Sequence, residues 1–315
     1  MSTVAEWVAI VNLRSGGRRR PEAFARRLET AVSRVLVSER PGHVDELVRS
    51  CRDADGILVA GGDGTLFEVL QACDRPRQKI MLLPSGRGNS LAKDLGLNRD
   101  CDPAECIRHG VDRAIDLLDV ITVDGDGTSW TGVSASNLAV GYPAAVTSAA
   151  ARWRRFKGAS YAVGALTARV EALKVRLRYD MGAEQSTDLT GLVVSNSRYV
   201  GPFLGFPASD LSDGICHAVE MRVGTFQQQL HNLSSLSGLG FYEPVTRRDL
   251  RCVDLIVDRP TLLKIDGELR TNVCEVHSRV QSGAVVFRLP PPLITRPAPH
   301  SPSPAPQGAR PMPHA

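Results

Sequence analysis

The chain has 315 residues, of which 43% are hydrophobic and 23% are charged, and its formal net charge is +4 at pH 7. This composition is typical of a globular protein and argues against a membrane-spanning one. Aromatic residues make up only 5% of the chain and are not interleaved with basic ones, so nucleic-acid binding is not expected. The length favours two domains.

The seven cysteines are scattered and form no CxxC pair. A zinc site or disulfide framework is therefore not expected, and reduced thiols in a cytoplasm are the better interpretation. The N-terminal sequence has no basic region followed by a long apolar core, so no signal peptide is expected. Because no apolar run approaches the roughly 20 residues that span a bilayer, any membrane contact should be peripheral.

The first third of the chain alternates apolar runs with amphipathic ones. The predicted strands are Trp7–Asn12, Arg34–Glu39, Gly56–Ala60 and Lys79–Pro84. The predicted helices are Glu22–Val32, Gly42–Cys51, Thr65–Ala72 and Ser90–Leu95. Strands and helices that alternate at this spacing predict a parallel sheet covered by helices on both faces.

After about Asp116 the pattern changes to strand-like runs separated by Gly, Asp and Pro. Only Ala149–Ala172 and Phe226–Leu239 look helical in that half. From Pro290 onward the chain is rich in Pro, Ser and Ala, which predicts a disordered tail. We therefore expect an α/β domain over residues 1–117, a mostly antiparallel β-sandwich domain over 118–289 and a tail over 290–315.

Three of the four predicted strands in the first third end in glycine-rich loops. Their sequences are NLRSGG (Asn12–Gly17), AGGDGT (Ala60–Thr65) and PSGRGN (Pro84–Asn89). Glycines let a backbone approach phosphate closely, and free N–H groups at a helix start donate to its oxygens. Neither a Walker A sequence nor GxGxxG is present. Three such loops on successive strands predict a nucleotide site at the carboxyl edge of the sheet.

Four motifs, in this order, resemble those of the diacylglycerol kinase catalytic-domain family, which includes bacterial lipid kinases and sphingosine kinases. They are GGDGT with the following Glu68, LPSGRGNSLAKDLGL (Leu83–Leu97), NSRYVGPFLGFPASDLSDG (Asn196–Gly214) and KIDGE (Lys264–Glu268). GGDGT alone is shared with NAD kinases and phosphofructokinases, whereas the ordered set is more specific. The resemblance extends from Trp7 to Leu289.

The resemblance implies a Rossmann-like nucleotide-binding domain of the phosphofructokinase and NAD-kinase type, followed by a β-sandwich lipid-substrate domain. ATP and a lipid would meet in the cleft between them. Residues implied to bind the nucleotide are Asn12, Ser15, Gly16, Ser38, Gly61, Gly62, Asp63, Gly64, Thr65, Gly86, Arg87 and Asn89. Two positions depart from the family pattern, namely Leu13, where proline is frequent, and Arg87, where a small residue is usual. We interpret Arg87 as a phosphate clamp, with crowding of the nucleotide as the alternative.

Phosphoryl transfer needs a base near the attacking hydroxyl and cations on the phosphates. The resemblance implies that Glu268 is the base, with Asp266 and Asp63 as the other catalytic carboxylates. Asp63 would be either the base itself or a magnesium ligand. In isolation the sequence Asp266-Gly267 favours a hairpin turn. The family also implies a structural Mg²⁺ site, whose ligands here would be Asp210, Asp213 and the carbonyl of Ile215.

The segment Ala151–Leu173 joins a cationic cluster to an amphipathic helix. Its charged residues Arg152, Arg154, Arg155 and Lys157 are interspersed with Trp153 and Phe156. This mixture fits an anionic membrane surface, and an ordinary helix with a solvated basic end is the alternative. The sequence as a whole predicts an ATP- and Mg²⁺-dependent lipid kinase. The alternatives are an NAD kinase-like enzyme and a non-catalytic nucleotide- or lipid-binding protein.

Overall fold

The computed structural model describes residues 5–13, 28–86, 88–97, 101–153, 160–169, 171–200, 204–205, 209–222 and 245–291. The predicted helix Glu22–Val32 lies mostly outside these residues, and the predicted helix Phe226–Leu239 lies entirely outside them. The Pro-rich tail lies outside them from residue 292 onward.

Four strands of the first third pair in parallel, in the order β2-β1-β3-β4. Their bounds are Trp7–Asn12 for β1, Arg34–Ser38 for β2, Gly56–Gly61 for β3 and Lys79–Pro84 for β4. β3 is buried along its whole length, as expected for a strand covered on both faces. The register aligns Asn12 with Ser38 and Gly61 with Pro84, so the loops that follow these strands leave from one edge.

Short helices connect these strands. They are α1 (His43–Arg49), α2 (Asp63–Ala72), α3 (Ser90–Asp94) and α4 (Pro103–His109). α2 begins at Asp63, two residues before the predicted start at Thr65, because Gly62 with its extended backbone serves as the N-cap. α4 was not predicted from the sequence. Its start has an ordinary signature, since the side chain of Asp102 accepts a hydrogen bond from the N–H of Ala104 and proline occupies the first helical position.

The second half of the chain is built mainly from antiparallel strands that continue the same sheet. The strands are β5 (Val111–Asp124), β6 (Ser129–Ser134), β7 (Asn137–Gly141), β8 (Leu173–Tyr179), β9 (Gln185–Ser195), β10 (Tyr199–Val200), β11 (Leu204–Gly205), β12 (Cys216–Arg222), β13 (Val245–Leu250), β14 (Cys252–Ile265) and β15 (Glu268–Leu289). β10 and β11 form a separate two-stranded sheet.

Two helices, α5 (Tyr142–Arg152) and α6 (Ser160–Thr167), stand where one helix was predicted over Ala149–Ala172. The prediction of a single helix is wrong. α5 starts earlier because Gly141, with φ +73°, turns the chain out of β7 and Pro143 occupies the first turn. The two helices pack against each other.

Side chains of β5 belong to two different hydrophobic cores. Ile115 and Leu117 pack in a core with residues of β3, β4 and α2. Leu118 and Val120 pack instead in a core formed by β7, β8, β9 and β14. The end of β15 returns to the first core through Phe287, which pairs in parallel with Ile80 of β4. β5 and β15 therefore connect the two cores through paired strands.

The sulfur atoms of Cys101 and Cys106 lie next to each other, but their Cα atoms are 7.4 Å apart, farther than a disulfide normally spans. The expectation of reduced thiols therefore stays a prediction for this pair. The other cysteines are free. None of the helices within the described residues is long and apolar enough to cross a bilayer.

Candidate nucleotide and phosphoryl-transfer site

The start of α2 presents backbone N–H groups that no side chain caps. Gly62 precedes the helix in an extended conformation, and Asp63, Gly64 and Thr65 form its first turn. The first N–H groups of a helix lack intrahelical acceptors and lie at the positive end of the helix dipole. This turn is therefore suited to binding an anion such as phosphate.

A hydrogen bond links the first and second glycine loops. The side-chain amide of Asn12 donates from Nδ2 to Oγ1 of Thr65 over 3.0 Å. Thr65 is buried, and Ser38, also buried, lies beside Asn12 in the paired strands. Three of the predicted nucleotide residues thus lie together at the carboxyl edge of the sheet.

The second and third glycine loops contact each other through their backbones. A Cβ atom added to Gly86 would lie 2.6 Å from the Cα of Gly62, so only glycine fits there. Asn89 has φ +50°, and its Nδ2 donates to the carbonyl of Gly86 over 2.8 Å. The second and third glycine loops therefore lie together at one edge of the sheet, as the sequence predicted. Ser15, Gly16 and Arg87 lie outside the described residues. The interpretation of Arg87 as a phosphate clamp, rather than a residue that crowds the nucleotide, therefore stays a prediction.

Asp63 joins the second loop to the third. Its Oδ1 accepts a hydrogen bond from the N–H of Ser90, the first residue of α3, over 3.0 Å. Burial raises the pKa of Asp63, and the neighbouring carboxylate of Asp266 raises it further, while the Ser90 N–H and Lys264 act in the opposite direction. One oxygen of Asp63 is thus engaged in positioning α3.

Glu268 reaches the glycine loops from the other half of the chain. It is the first residue of β15, directly after the two-residue turn Asp266-Gly267 that closes the β14–β15 hairpin. A Cβ atom added to Gly64 would lie 2.9 Å from its Oε1. Glu268 is exposed, so its carboxylate is accessible beside the uncapped turn of α2. The Asp-Gly sequence is therefore a hairpin turn, as its isolated pattern suggested, and it also delivers Glu268 to the loop.

Glu68 lies one turn along α2 from the glycine loop. Burial raises its pKa, and the negative charge of Glu268 is the next contribution. The two glutamates therefore lie close enough to interact. The half-buried side chain of Glu68 lies at the margin of the site.

Asp266 has a different kind of environment. Its carboxylate accepts four hydrogen bonds, from the Ser134 hydroxyl and from the backbone N–H groups of Ala135, Ser136 and Asn137, over 2.7 to 3.0 Å. Both oxygens are used, and its φ of +50° fits the tight hairpin turn. These contacts favour an anchoring function for Asp266 over direct participation in proton transfer.

Two residues that the sequence did not single out help to build this region. Lys264 is buried, and its Nζ donates a hydrogen bond to Oδ1 of Asn137 over 3.0 Å. Asp116, 1% exposed, accepts hydrogen bonds from the N–H groups of Gly214 and Gly283, over 2.7 and 2.8 Å. Lys264 belongs to the motif KIDGE, so the sequence contained a signal for this residue. The signal for Asp116 is weaker, namely a charged residue within an apolar strand.

A family model for the diacylglycerol kinase catalytic domain matches residues 6–123. A protein of Stenotrophomonas maltophilia named "Probable lipid kinase YegS-like" is 26% identical over 287 residues, which are 84% of this chain and 90% of that protein. The diacylglycerol kinase of Mycobacterium tuberculosis (strain H37Rv) is 30% identical over 170 residues, which are 52% of this chain and 54% of that protein.

Residues 6–123 are thus similar to the catalytic domain of diacylglycerol kinases, and the similarity to the lipid kinase of Stenotrophomonas maltophilia extends over most of the chain. A solved structure of a diacylglycerol kinase from Bacillus anthracis has the same fold, with a TM-score of 0.71 and 16% identity over 92% of this chain and 98% of that one. The family match covers all three glycine loops and ends at β5. Glu268 and the hairpin that carries it lie beyond the matched residues of that model.

The predicted Mg²⁺ ligands have protein partners. Asp210 Oδ1 accepts from the Arg113 guanidinium over 2.8 Å and from the Ser212 hydroxyl over 2.7 Å, and these contacts lower the pKa of Asp210. Asp213 Oδ1 accepts from the N–H of Ile215 over 3.1 Å. Among the described residues, no group of three or more His, Cys, Asp or Glu side chains is placed to hold a metal ion. A cationic guanidinium on Asp210 does not fit a resident Mg²⁺ at this position.

The structure describes residues 151–153, 160–169 and 171–173 of the predicted membrane-contact segment. Arg152 and Trp153 are exposed at the end of α5, and Leu166 of α6 is 76% exposed. Arg154, Arg155, Phe156 and Lys157 lie outside the described residues. The exposed side chains of the described part therefore include both cationic and apolar ones, namely Arg152, Trp153 and Leu166.

Proposed function

We propose that this protein is an ATP-dependent lipid kinase that phosphorylates a hydroxyl of a diacylglycerol- or sphingosine-like lipid. The observation that carries the proposal is the meeting of Glu268 with the uncapped first turn of α2 at Gly64. A phosphate-binding turn and an accessible carboxylate, from distant parts of the chain, then face the same space. That is the arrangement that transfer of a phosphoryl group to an alcohol requires.

We assign ATP binding to the three glycine loops. The N–H groups at the start of α2 hold phosphate oxygens, and the Asn12–Thr65 hydrogen bond fixes the first loop against the second. The proposed nucleotide residues are Asn12, Ser15, Gly16, Ser38, Gly61, Gly62, Asp63, Gly64, Thr65, Gly86, Arg87 and Asn89. Backbone amides that are already oriented stabilise charge on the transferring group without reorganisation.

Glu268 acts as the base that accepts the proton of the lipid hydroxyl. Its carboxylate is exposed and accessible beside the turn, whereas one oxygen of Asp63 is bonded to Ser90 and both oxygens of Asp266 are bonded to the 134–137 segment. Asp266 then positions the hairpin that carries Glu268. Mg²⁺ would enter with ATP and neutralise phosphate charge, and Asp63 is the carboxylate of the loop that would face it.

We also propose a domain organisation for the chain. Residues 1–117 form a Rossmann-like nucleotide domain of the phosphofructokinase and NAD-kinase type, and residues 118–289 form a β-sandwich lipid domain that sends the end of β15 back to the first core. Residues 290–315 form a tail. The kinase acts in the cytoplasm, at the membrane face where its lipid resides.

Peripheral membrane contact would use the cationic segment at the end of α5. Exposed Arg152 and Trp153 support it, because aromatic and basic side chains together favour an anionic interface. Charge reversal at Arg152, Arg154 and Arg155 should abolish co-sedimentation with anionic liposomes. Unchanged sedimentation would contradict the membrane proposal without affecting the assignment of the kinase site.

The direct test is transfer of labelled phosphate from γ-labelled ATP to a panel of lipids, with NAD as a further acceptor. We expect a phosphorylated lipid, no labelled NADP, and a fall of at least about 100-fold in kcat for Glu268→Gln. Activity near wild type in that variant would remove Glu268 from the mechanism. Labelled NADP would favour an NAD kinase-like enzyme, and ATP binding without any transfer would favour a non-catalytic protein.

A further inference from the structure

The strand β6 is held by a helix from the other half of the chain. Among the described strands β6 pairs only with β5, and Val133, opposite Asp119, is 2% exposed. Alternate residues of an antiparallel strand direct their backbone N–H and C=O away from the partner strand, and such groups need hydrogen bonds when buried. Gln71 of α2 supplies both. Its Oε1 accepts from the N–H of Val133 and its Nε2 donates to the carbonyl of Val133, each over 2.9 Å.

Aromatic packing and a glycine accompany this contact. The rings of Phe67 on α2 and Trp130 on β6 stack with their centroids 6.5 Å apart. A Cβ atom added to Gly132 would overlap both Oε1 of Gln71 and the Trp130 ring, so only glycine lets the helix lie this close to β6. Cζ of Arg270, from β15, lies 4.7 Å from the centroid of the Trp130 ring. We call the contact made by Gln71 and Phe67 with β6 the α2–β6 junction.

The α2–β6 junction crosses between the two hydrophobic cores. Phe67 belongs to the phosphate-binding helix, yet it packs against the core formed by β7, β8, β9 and β14. Val133 belongs to the second half of the chain, yet it packs in the core of β3, β4 and α2. The strands that join the two cores, β5 and β15, shift register between Gln281 and Val285, and strands bend at such irregularities. Contacts beside these strands are therefore needed to fix the angle between the halves, and the junction supplies one.

Each side of the junction leads to one part of the candidate site. On the helix side, Gln71 lies two turns after the phosphate-binding turn of α2, so a stiff helix connects the two. On the strand side, the two residues that follow Val133 donate hydrogen bonds to the carboxylate of Asp266 over 2.7 and 2.9 Å. Asp266 stands in the hairpin turn directly before Glu268. The Gln71 amide thus belongs to a continuous series of contacts from the phosphate-binding turn to the proposed base.

We infer that Gln71 is a positioning residue of the phosphoryl-transfer site, whose side-chain amide, through Val133, sets the distance between the phosphate-binding turn of α2 and the carboxylate of Glu268. Its role rests on the proposed function, because the turn and Glu268 must act on one substrate. The hydrogen bonds themselves do not depend on which lipid is phosphorylated. A displacement of about 1 Å between reacting groups can lower a rate by about 100-fold, so loss of this amide should be visible in kcat.

The matched control for Gln71 is Gln78. Gln78 is fully buried, and its Nε2 donates to the carbonyls of Cys51 and Ala54 over 2.9 and 3.2 Å, all within the first half of the chain. Methionine keeps the length of either side chain and removes the amide. Gln71→Met and Gln78→Met should both lower the melting temperature by about 2–6 °C, since each loses buried hydrogen bonds. They differ in that Gln78 holds no part of β6.

The kinetic test compares the two variants well below their melting temperatures, with the lipid acceptor found in the panel. We expect kcat to fall about tenfold or more in Gln71→Met, while the KM for ATP changes less than about threefold because the amides that bind phosphate remain in place. Gln78→Met should keep the kcat of wild type. A wild-type kcat in Gln71→Met, or an equal fall in both variants, would overturn the inference.

A second test needs no substrate. Amide hydrogen exchange should be about tenfold faster in Gln71→Met than in wild type over residues 129–137 and over the hairpin at 264–270, because the N–H of Val133 loses its acceptor and the segment that bonds Asp266 is no longer held. In Gln78→Met both segments should stay within about threefold of wild type. Wild-type exchange in either segment of Gln71→Met, or the same acceleration in both variants, would overturn the inference.

The two tests separate this inference from the proposed function. If the wild-type protein phosphorylates no lipid, the proposed function fails, and the exchange rates still decide whether Gln71 holds the hairpin. If a lipid is phosphorylated and exchange over residues 264–270 is unchanged in Gln71→Met, the proposed function stands and the positioning role of Gln71 fails.

Discussion

The glycine loops and the β14–β15 hairpin form two sides of one candidate site, yet their contacts differ in range. The Asp63–Ser90 hydrogen bond joins positions 27 residues apart, between loops that follow neighbouring strands. The Asp266–Ser134 hydrogen bond joins positions 132 residues apart. The first side follows from a general rule, since consecutive parallel strands end at a common edge. The second side exists only because long strands return a distant hairpin to that edge.

This difference suggests where substitutions should act most strongly. The glycine loops are held by backbone approach and single hydrogen bonds, so changes there should mainly alter nucleotide binding. The hairpin is held by a carboxylate with four donors, so changes there should alter stability as well as activity.

The largest expected effect is that of Asp266→Ala. It leaves the N–H groups of the 134–137 segment without their acceptor, and we expect the free energy of unfolding to fall by about 3 kcal/mol. Urea denaturation measures this change. Asp188→Ala, at an exposed position of β9, is the control and should change the free energy by less than about 0.5 kcal/mol. A similar small change in Asp266→Ala would mean that the hairpin is no more strongly anchored than the loops.

An intermediate effect is expected for Thr65→Val, which keeps the shape of the side chain but removes the acceptor of the Asn12 amide. The free energy of unfolding should fall by about 1 kcal/mol, as for one lost hydrogen bond, and the KM for ATP should rise. Thr131→Val, at an exposed position of β6, is the matched control. Wild-type stability together with a wild-type KM in Thr65→Val would show that this bond does not order the nucleotide loops.

The smallest effect is a pH dependence at the border between the two sides. Burial and Glu268 raise the pKa of Glu68 above its usual 4.5. The folded protein therefore binds this proton more tightly than the unfolded chain, so the carboxyl favours folding at low pH, and that contribution is lost as the pH rises through the folded pKa. The difference in stability between Glu68→Gln and wild type should therefore favour the variant more at pH 7 than at pH 4.

The measurement is the melting temperature of Glu68→Gln and wild type at both pH values, with Glu39→Gln as the exposed control. A difference between Glu68→Gln and wild type that is equal at pH 4 and pH 7 would contradict the electrostatic contact between Glu68 and Glu268. Glu68 would then not connect the glycine-loop side of the site with the hairpin side.

Local patterns in the sequence determined much of the first side. The apolar runs marked β1 to β4 within a residue or two, and the three glycine loops followed from their positions after those strands. The Asp-Gly pair correctly indicated a hairpin turn. Where local pattern failed, packing or a cap decided the outcome: Gly62 starts α2 two residues early, and Gly141 with Pro143 starts α5 ahead of its amphipathic run.

Tertiary structure alone decided the rest. Asp116 and Lys264 are charged residues in buried strands, and their partners lie 98 and 127 positions away or more, so no local spacing reveals them. The same holds for Arg113, whose guanidinium bonds Asp210 where a magnesium ligand was expected. The sequence by itself specified a phosphate-binding edge and a carboxylate motif. Folding decided that they face each other, because only the pairing of β14 with β15 and β7 brings the hairpin turn against Gly64.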